Sequence, residues 1–281
     1  LNKWGVHSKI YDKYACPHCV LNPPPPTHTE RIKRQFESHS LHKKLVLQGL
    51  EAVMVVDYCR IHETGAFRVD YDNTNLKMSC FGVVLITSDP ERPGAFLHRN
   101  YDICSASKQS GCFTTEALAK FWCHLIEIIN WDWKFIQLWA DGGMESKGNL
   151  VAMNEFQKMI ARAAMERSHA RYPYLQANFY ASYHGHNDCD AHFGRVKMGI
   201  RKHFSPDRKN KDAIVDAVNS LPRSEIWLIR DGIQQPQGKS SIRQVPYNRG
   251  AQYQDMPPRF RLSEIHCALF DPYSDAPFLL Y

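Results

Sequence analysis

Ala52-Val-Met-Val-Val-Asp57 is an unbroken apolar run closed by one carboxylate. A short run of this kind, rich in β-branched residues, reads as a buried strand. A charge at its end is costly unless it is paired, hydrogen-bonded or bound to metal. Working outward, Lys77-Met-Ser-Cys-Phe-Gly-Val-Val-Leu-Ile-Thr87 predicts a second strand after a turn at Gly65. Asp89-Pro-Glu-Arg-Pro-Gly94 is a turn, and residues 95–104 form a third strand. Thr114 or Thr115 then caps a helix whose apolar residues are Leu118, Phe121, Trp122, Leu125, Ile126 and Ile129, one continuous stripe at helical spacing.

Phe135-Ile-Gln-Leu-Trp-Ala140 predicts a fourth strand, ending at Asp141-Gly-Gly. Residues 149–168 read as a helix, 177–183 as a fifth strand, and the Asp190 segment as a helix to about His203. The order is three strands, helix, strand, helix, strand, helix. It matches an α/β, ribonuclease-H-like mixed sheet flanked by helices, with three antiparallel strands followed by parallel strands joined by crossover helices. The expected core spans residues 49–210. Residues 1–48 form a Cys-containing segment, a four-proline spacer at 23–26 that cannot be helical, and a basic helix capped by Thr27 or Thr29. Residues 211–281 form an irregular C-terminal extension, with a short helix at 214–218 and a strand at 225–230.

The chain has 281 residues and a formal net charge of +6. That charge permits a polyanionic partner without demanding one. The clustering says more: Arg195, Lys197, Arg201, Lys202, Arg208, Lys209 and Lys211 directly follow Asp190, and Arg31, Lys33, Arg34, Lys43 and Lys44 form a second group. No apolar run approaches the ~18 residues of a membrane span, so no membrane partner is expected. Nine cysteines, odd in number and mostly in apolar runs, argue for a reduced, intracellular protein. The sequence opens at Leu1 without an initiator Met or a signal-peptide pattern, which reads as an excised part of a longer protein.

Three carboxylates then stand at positions that suit chemistry: Asp57 and Asp141 at strand ends, and Asp190 at the start of a helix. On that helix Asp190, Gly194, Lys197 and Arg201 fall on one side, while Phe193, Val196, Ile200 and Phe204 form the apolar stripe. One helix would thus present a carboxylate to metal and cations to phosphate. Breaking a phosphodiester needs a deprotonated attacking oxygen and a stabilised leaving oxygen. Two Mg²⁺ or Mn²⁺ ions about 3.5–4 Å apart serve both, held by hard carboxylate ligands. Asp57 would bridge them, with Asp141 and Asp190 completing the shells. Asp188 competes with Asp190 for the third position, and Asp70 and Asp72 compete with Asp57. A strand-end Asp also serves as a turn former or helix cap.

Val55-Val-Asp-Tyr58, Ala140-Asp-Gly-Gly143 with Lys147 and Asn149, and His184-Gly-His-Asn-Asp-Cys-Asp-Ala-His-Phe-Gly-Arg-Val-Lys197 together resemble a eukaryotic group of DDE-type transposase catalytic domains and proteins derived from them. The resemblance spans roughly residues 53–202 and is most specific in its last motif. It implies metal-dependent DNA cleavage and strand transfer, with Asp57, Asp141 and Asp190 as the triad. It also implies contacts to DNA from Lys147, His184, Arg195, Lys197, Arg201 and Lys202, a homo-oligomer on DNA, and a nuclear location. Ala140 replaces the usual Ser, and His186 and Asn187 stand where such proteins carry Lys and a small residue. The alternative is a host-adopted, catalytically inactive DNA-binding or assembly module.

Cys16-x-x-Cys19 has zinc-knuckle spacing and offers a Zn²⁺ site, with His7, His28, or His39 and His42 as partners; its plain reading is two reduced thiols in a loop. His184, His186, Cys189 and His192 form a second group that a zinc hydrolase would use.

Overall fold

The structure is a computed structural model that describes residues 26–61, 78–105, 111–141, 150–181, 187–203, 210–229, 267–273 and 278–280. In chain order the elements are helix α1 (Pro26–Leu47) and strands β1 (Glu51–Ile61), β2 (Met78–Ser88) and β3 (Phe96–Ser105). Helix α2 (Gly111–Ile128), strand β4 (Phe135–Ala140), helix α3 (Leu150–Glu166) and strand β5 (Tyr174–Phe179) follow. Helices α4 (Asp188–His203) and α5 (Asn210–Asn219) precede strands β6 (Ser224–Ile229), β7 (Cys267–Leu269) and β8 (Phe278–Leu280). This is an α/β architecture built on one mixed sheet, in the order β6-β3-β2-β1-β4-β5-β7-β8. Strand β2 is antiparallel to both β1 and β3, whereas β4 joins β1, and β5 joins β4, in parallel. Helices α2 and α3 supply the crossovers that parallel pairing requires. Strands from the segment beyond residue 211 join both edges of the same sheet, β6 beside β3 and β7 beside β5.

Side chains alternate across a strand, and here both faces are covered. Ala52, Met54 and Val56 pack with Phe81, Val83, Leu85, Ile136 and Leu138 beneath α2 and α3. Trp122 of α2 stacks on Phe156 of α3 with ring centroids 4.7 Å apart. Val53, Val55 and Cys59 pack on the opposite face with Cys80, Val84 and Trp139, beneath α1, α4 and α5. Fully burying one such aliphatic side chain contributes about 1.5–3 kcal/mol. That double burial is why β1 stays apolar at every position from Ala52 to Val56.

Helix α4 is held on its face by a glycine. Gly82 of β2 lies under the ring of Phe193; a Cβ there would come within 2.7 Å of Phe193 Cε1 and closer still to Cζ. Only a residue without a side chain lets the ring rest on the strand backbone. Val196 and Ile200 continue the buried stripe, as the helical spacing predicts.

Several boundaries differ from the sequence reading. Strand β1 runs on to Ile61, paired with β2, so Asp57 lies inside the strand and not at its end, and helix α5 starts at Asn210, ahead of residue 214. Pro26 is the first helical residue of α1, so the proline run does not exclude all four of its members and Thr27 and Thr29 lie inside the helix. The first turn needs no intrahelical donor, and a proline fits there. Helix α2 starts at Gly111, ahead of both Thr114 and Thr115. Strand β5 begins and ends earlier than 177–183, because its parallel register with β4 runs from Phe135↔Tyr174 to Ala140↔Phe179.

Substituting Gly82→Ala should cost about 1–3 kcal/mol through overpacking against Phe193. Urea unfolding should show a lower midpoint at an unchanged slope, and adding Phe193→Leu should recover part of the loss.

Candidate active site

Val56 pairs with Ala140 across the parallel junction, so Asp57 and Asp141 are the next residues on neighbouring strands. Alternation sends both to the face that carries Val55 and Trp139. On the other side of β1, Asp57 is opposite Gly82, and Gly82 is opposite Asp102. One row across four strands therefore reads Asp141, Asp57, Gly82, Asp102. Helix α4 lies over that row.

The start of α4 brings in Asp190. Asn187 is the N-cap: its Oδ1 accepts from the N–H of Cys189 at 2.8 Å and of Asp190 at 3.3 Å. Asp190 Oδ2 in turn accepts the N–H of Asn187 at 3.0 Å. The pair is a reciprocal capping arrangement that fixes both side chains. The Asn187 amide then donates through Nδ2 to Asp57 Oδ2 at 3.3 Å. Asp57 Oδ1 accepts the N–H of Tyr58 at 2.7 Å. A single asparagine thus links the strand carboxylate to the helix carboxylate.

The electrostatics follow from that geometry. Burial pushes the Asp57 carboxyl up, the Tyr58 N–H opposes it, and the nearby charges of Asp190 and Asp141 push it further, to about 6. All three predicted carboxylates are therefore brought into one neighbourhood. Asp57 is half-buried, while Asp141 and Asp190 are exposed. Asp188 turns elsewhere: Lys43 Nζ of α1 donates to its two oxygens at 3.2 and 3.0 Å. Of the two acids at the start of α4, the one linked to Asp57 is Asp190.

The other side chains of α4 that were candidates for metal or nucleophilic chemistry are spent on docking. Cys189 is fully buried, donates to Val55 O at 3.2 Å, and its thiol is pushed well up by burial and by the charge of Asp57. A thiol so placed is not a nucleophile. His192 Nε2 lies 2.6 Å from Asp102 Oδ2, both side chains about 1 % exposed. The Cys80 thiol donates to the other Asp102 oxygen at 3.4 Å. Neither member is available for a zinc hydrolase site. His39 and His42 are also engaged, His39 against Trp139 with centroids 4.9 Å apart and His42 with Glu51 at 2.8 Å. Cys16, Cys19, Lys147, His184, His186, Asp70 and Asp72 lie outside the described residues.

Asn187, Asp102, His192 and Gly82 form the frame of the site and were not singled out for it by sequence. The Asn-x-x-Asp spacing was the one available signal for Asn187. Arg195, Lys197, Arg201 and Lys202 are exposed along α4. Lys197 reaches back beside Cys59, two residues beyond Asp57 on the same face.

Among the described residues, no group of three or more His, Cys, Asp or Glu side chains is gathered so as to hold a metal ion. The three carboxylates share a neighbourhood, and two of them, Asp57 and Asp190, share an asparagine, short of a closed coordination sphere. Among the same residues, no helix is long and apolar enough to cross a membrane. No family model matches the chain, and neither does any curated protein or solved structure.

The raised Asp57 carboxyl has a defined consequence for stability. Its folded value lies above the unfolded 3.8, so the fold is favoured by the protonated form, and that contribution is lost as pH rises through about 6. Asp57→Asn should therefore stabilise the protein at pH 7–8 by on the order of 2 kcal/mol, with the gain fading between about pH 6 and 4. Denaturant titrations of both proteins across that range would check it; a pH-independent difference would contradict the assignment.

Proposed function

We propose that this chain is a metal-dependent core that cuts and transfers DNA strands, using Asp57, Asp141 and Asp190 on a ribonuclease-H-like sheet. The observation that carries the reading is the meeting of those residues: Asp57 inside β1 and Asp141 just past β4, side by side where the parallel pairing of the two strands ends, and Asp190 from α4, linked to Asp57 through Asn187. The order of elements supports it as well. Three antiparallel strands are followed by parallel β4 and β5, reached through crossover helices. So do the exposed cations of α4 directly beyond Asp190.

The donor chemistry suits a hard divalent ion. Burial first, and then the charges of Asp190 and Asp141, hold Asp57 up to about 6; a Mg²⁺ or Mn²⁺ ion would favour its charged form. Asp57, Asp141 and Asp190 would hold it. When bound, such ions activate an attacking water or 3′-hydroxyl and stabilise the departing oxygen. The chain's own contribution is positional. The Tyr58 N–H and the Asn187 amide fix the two oxygens of Asp57, and the capping exchange fixes Asp190. Lys197, Arg201, Arg195 and Lys202 offer the phosphate backbone a row of cations. On this reading the partner is DNA, the assembly a homo-oligomer on it, and the setting the nucleus.

A second reading is a DNA-binding or assembly module that does not cut. It is favoured by the capping exchange that occupies Asp190 and by the Asn187 amide that already occupies Asp57. The two readings part on one preparation supplied with DNA and Mn²⁺ or Mg²⁺. The catalytic reading expects cleavage that falls about a hundredfold or more in Asp141→Asn. Equal cutting by both proteins would end the triad assignment; salt-sensitive binding without metal-dependent cleavage would establish the second reading.

The cation row has its own test. Removing Lys197 or Arg201 as alanine should weaken DNA binding uniformly across sequences and lower the slope of log affinity against log salt by about 1 each. An unchanged slope would remove α4 from the interface.

A further inference from the structure

Helix α1 meets the sheet through polar side chains in two layers. The layer at the start of β1 is closed. His42 Nδ1 lies 2.8 Å from Glu51 Oε2, Gln137 Nε2 donates to Glu51 Oε1 at 3.4 Å, and Asn178 Nδ2 donates to Gln137 Oε1 at 3.0 Å. Gln176 Nε2 completes the chain at Asn178 Oδ1, 3.1 Å away. The next layer consists of Gln35 and His39 of α1, Trp139 of β4, and Tyr180 just past β5. Its three rings pack together: His39 to Trp139 is 4.9 Å, His39 to Tyr180 6.1 Å, and Trp139 to Tyr180 5.1 Å between centroids. Gln35 Oε1 accepts the N–H of Ala181 at 2.6 Å, which pins its amide beside Tyr180.

This second layer is not closed. Gln35 Nε2, His39 Nε2, Trp139 Nε1 and Tyr180 Oη are buried, and no protein atom bonds to any of them. Trp139 is 2 % exposed and Tyr180 3 %. Leaving even one such group dry costs a sizeable share of a domain's net stability, and four side by side cannot be dismissed as packing noise. The closed layer directly below shows that this interface otherwise satisfies its polar atoms.

The chemistry of the four groups selects the occupant. The Gln35 amide nitrogen and the Trp139 indole only donate, whereas Tyr180 donates or accepts. Burial and the charge of Lys43 bring His39 down to about 4, so it is neutral near pH 7. The occupant must carry lone pairs. It must also be uncharged, because the carboxylates of Asp188, Asp57 and Asp190 all act on Tyr180 and would repel an anion. We propose that Gln35, His39, Trp139 and Tyr180 form a binding site for ordered water, a small cluster sealed between α1 and the ends of β4 and β5. Water there would set the distance between α1 and the sheet and, through the Lys43–Asp188 pair, the seat of α4. The site adjoins the carboxylates of the proposed DNA chemistry, but its test does not depend on catalysis.

A crystal structure of the full chain at a resolution that shows solvent should reveal density within about 2.7–3.2 Å of at least two of the four atoms. Tyr180→Phe removes only the hydroxyl. If that hydroxyl bonds to held water, the unfolding constant should rise about tenfold; an unsatisfied hydroxyl predicts a variant as stable as the parent or more so. Density together with that loss supports the site. A dry interface overturns it, and so does an undiminished Tyr180→Phe. Should Tyr180→Phe fail to fold, the density in the parent protein decides alone.

Discussion

The contact between the Phe193 ring and the bare backbone of Gly82 is the constraint on which the rest depends. It lets α4 sit directly on β2, and everything the helix carries is placed by that seat. Ahead of the ring on the same helix, Asp190 and its cap Asn187 come to Asp57 inside β1. Beside the ring, His192 reaches Asp102, and Cys189 reaches the backbone of Val55. Three different kinds of interaction hold one helix: an aromatic ring in a glycine gap, a buried histidine–aspartate pair, and thiol-to-carbonyl hydrogen bonds. Breaking a buried pair of that kind typically costs several kcal/mol, so the helix is tied where its own apolar stripe is narrow.

Such firmness has a physical reason. Burial makes the charge of Asp57 costly, and the neighbouring carboxylates of Asp190 and Asp141 add repulsion. A fold keeps like charges together only when the surrounding structure over-determines their positions. The apolar clusters on both faces, the parallel pairing of β1 with β4, and the docking of α4 supply that surplus.

Much of the frame was legible in the chain. Apolar runs marked β1, β2 and β4, helical spacing marked the stripes of α2 and α4, and Asp57 and Asp141 stood out because charges rarely end such runs. The sense of pairing was legible, but the register was not. The row that joins Asp57 to Gly82 and Asp102 depends on register, which is set by turns and partners far along the chain. Asp102 therefore read as one polar residue in a strand, and His192 as a metal ligand, until the sheet brought them together. The proline run misled for a local reason: a first helical turn accepts the residue that a later turn would reject.

The parity of β1 carries an evolutionary corollary. Asp57 faces α4 because it shares a side of the strand with Val53 and Val55. A codon gained or lost between residues 52 and 57 would turn the carboxylate toward α2 and α3 and expose the apolar set to the wrong helices. Descendants of this sequence can thus vary their loop lengths, but not the count of residues along this strand, without forfeiting both the core and the acid it delivers.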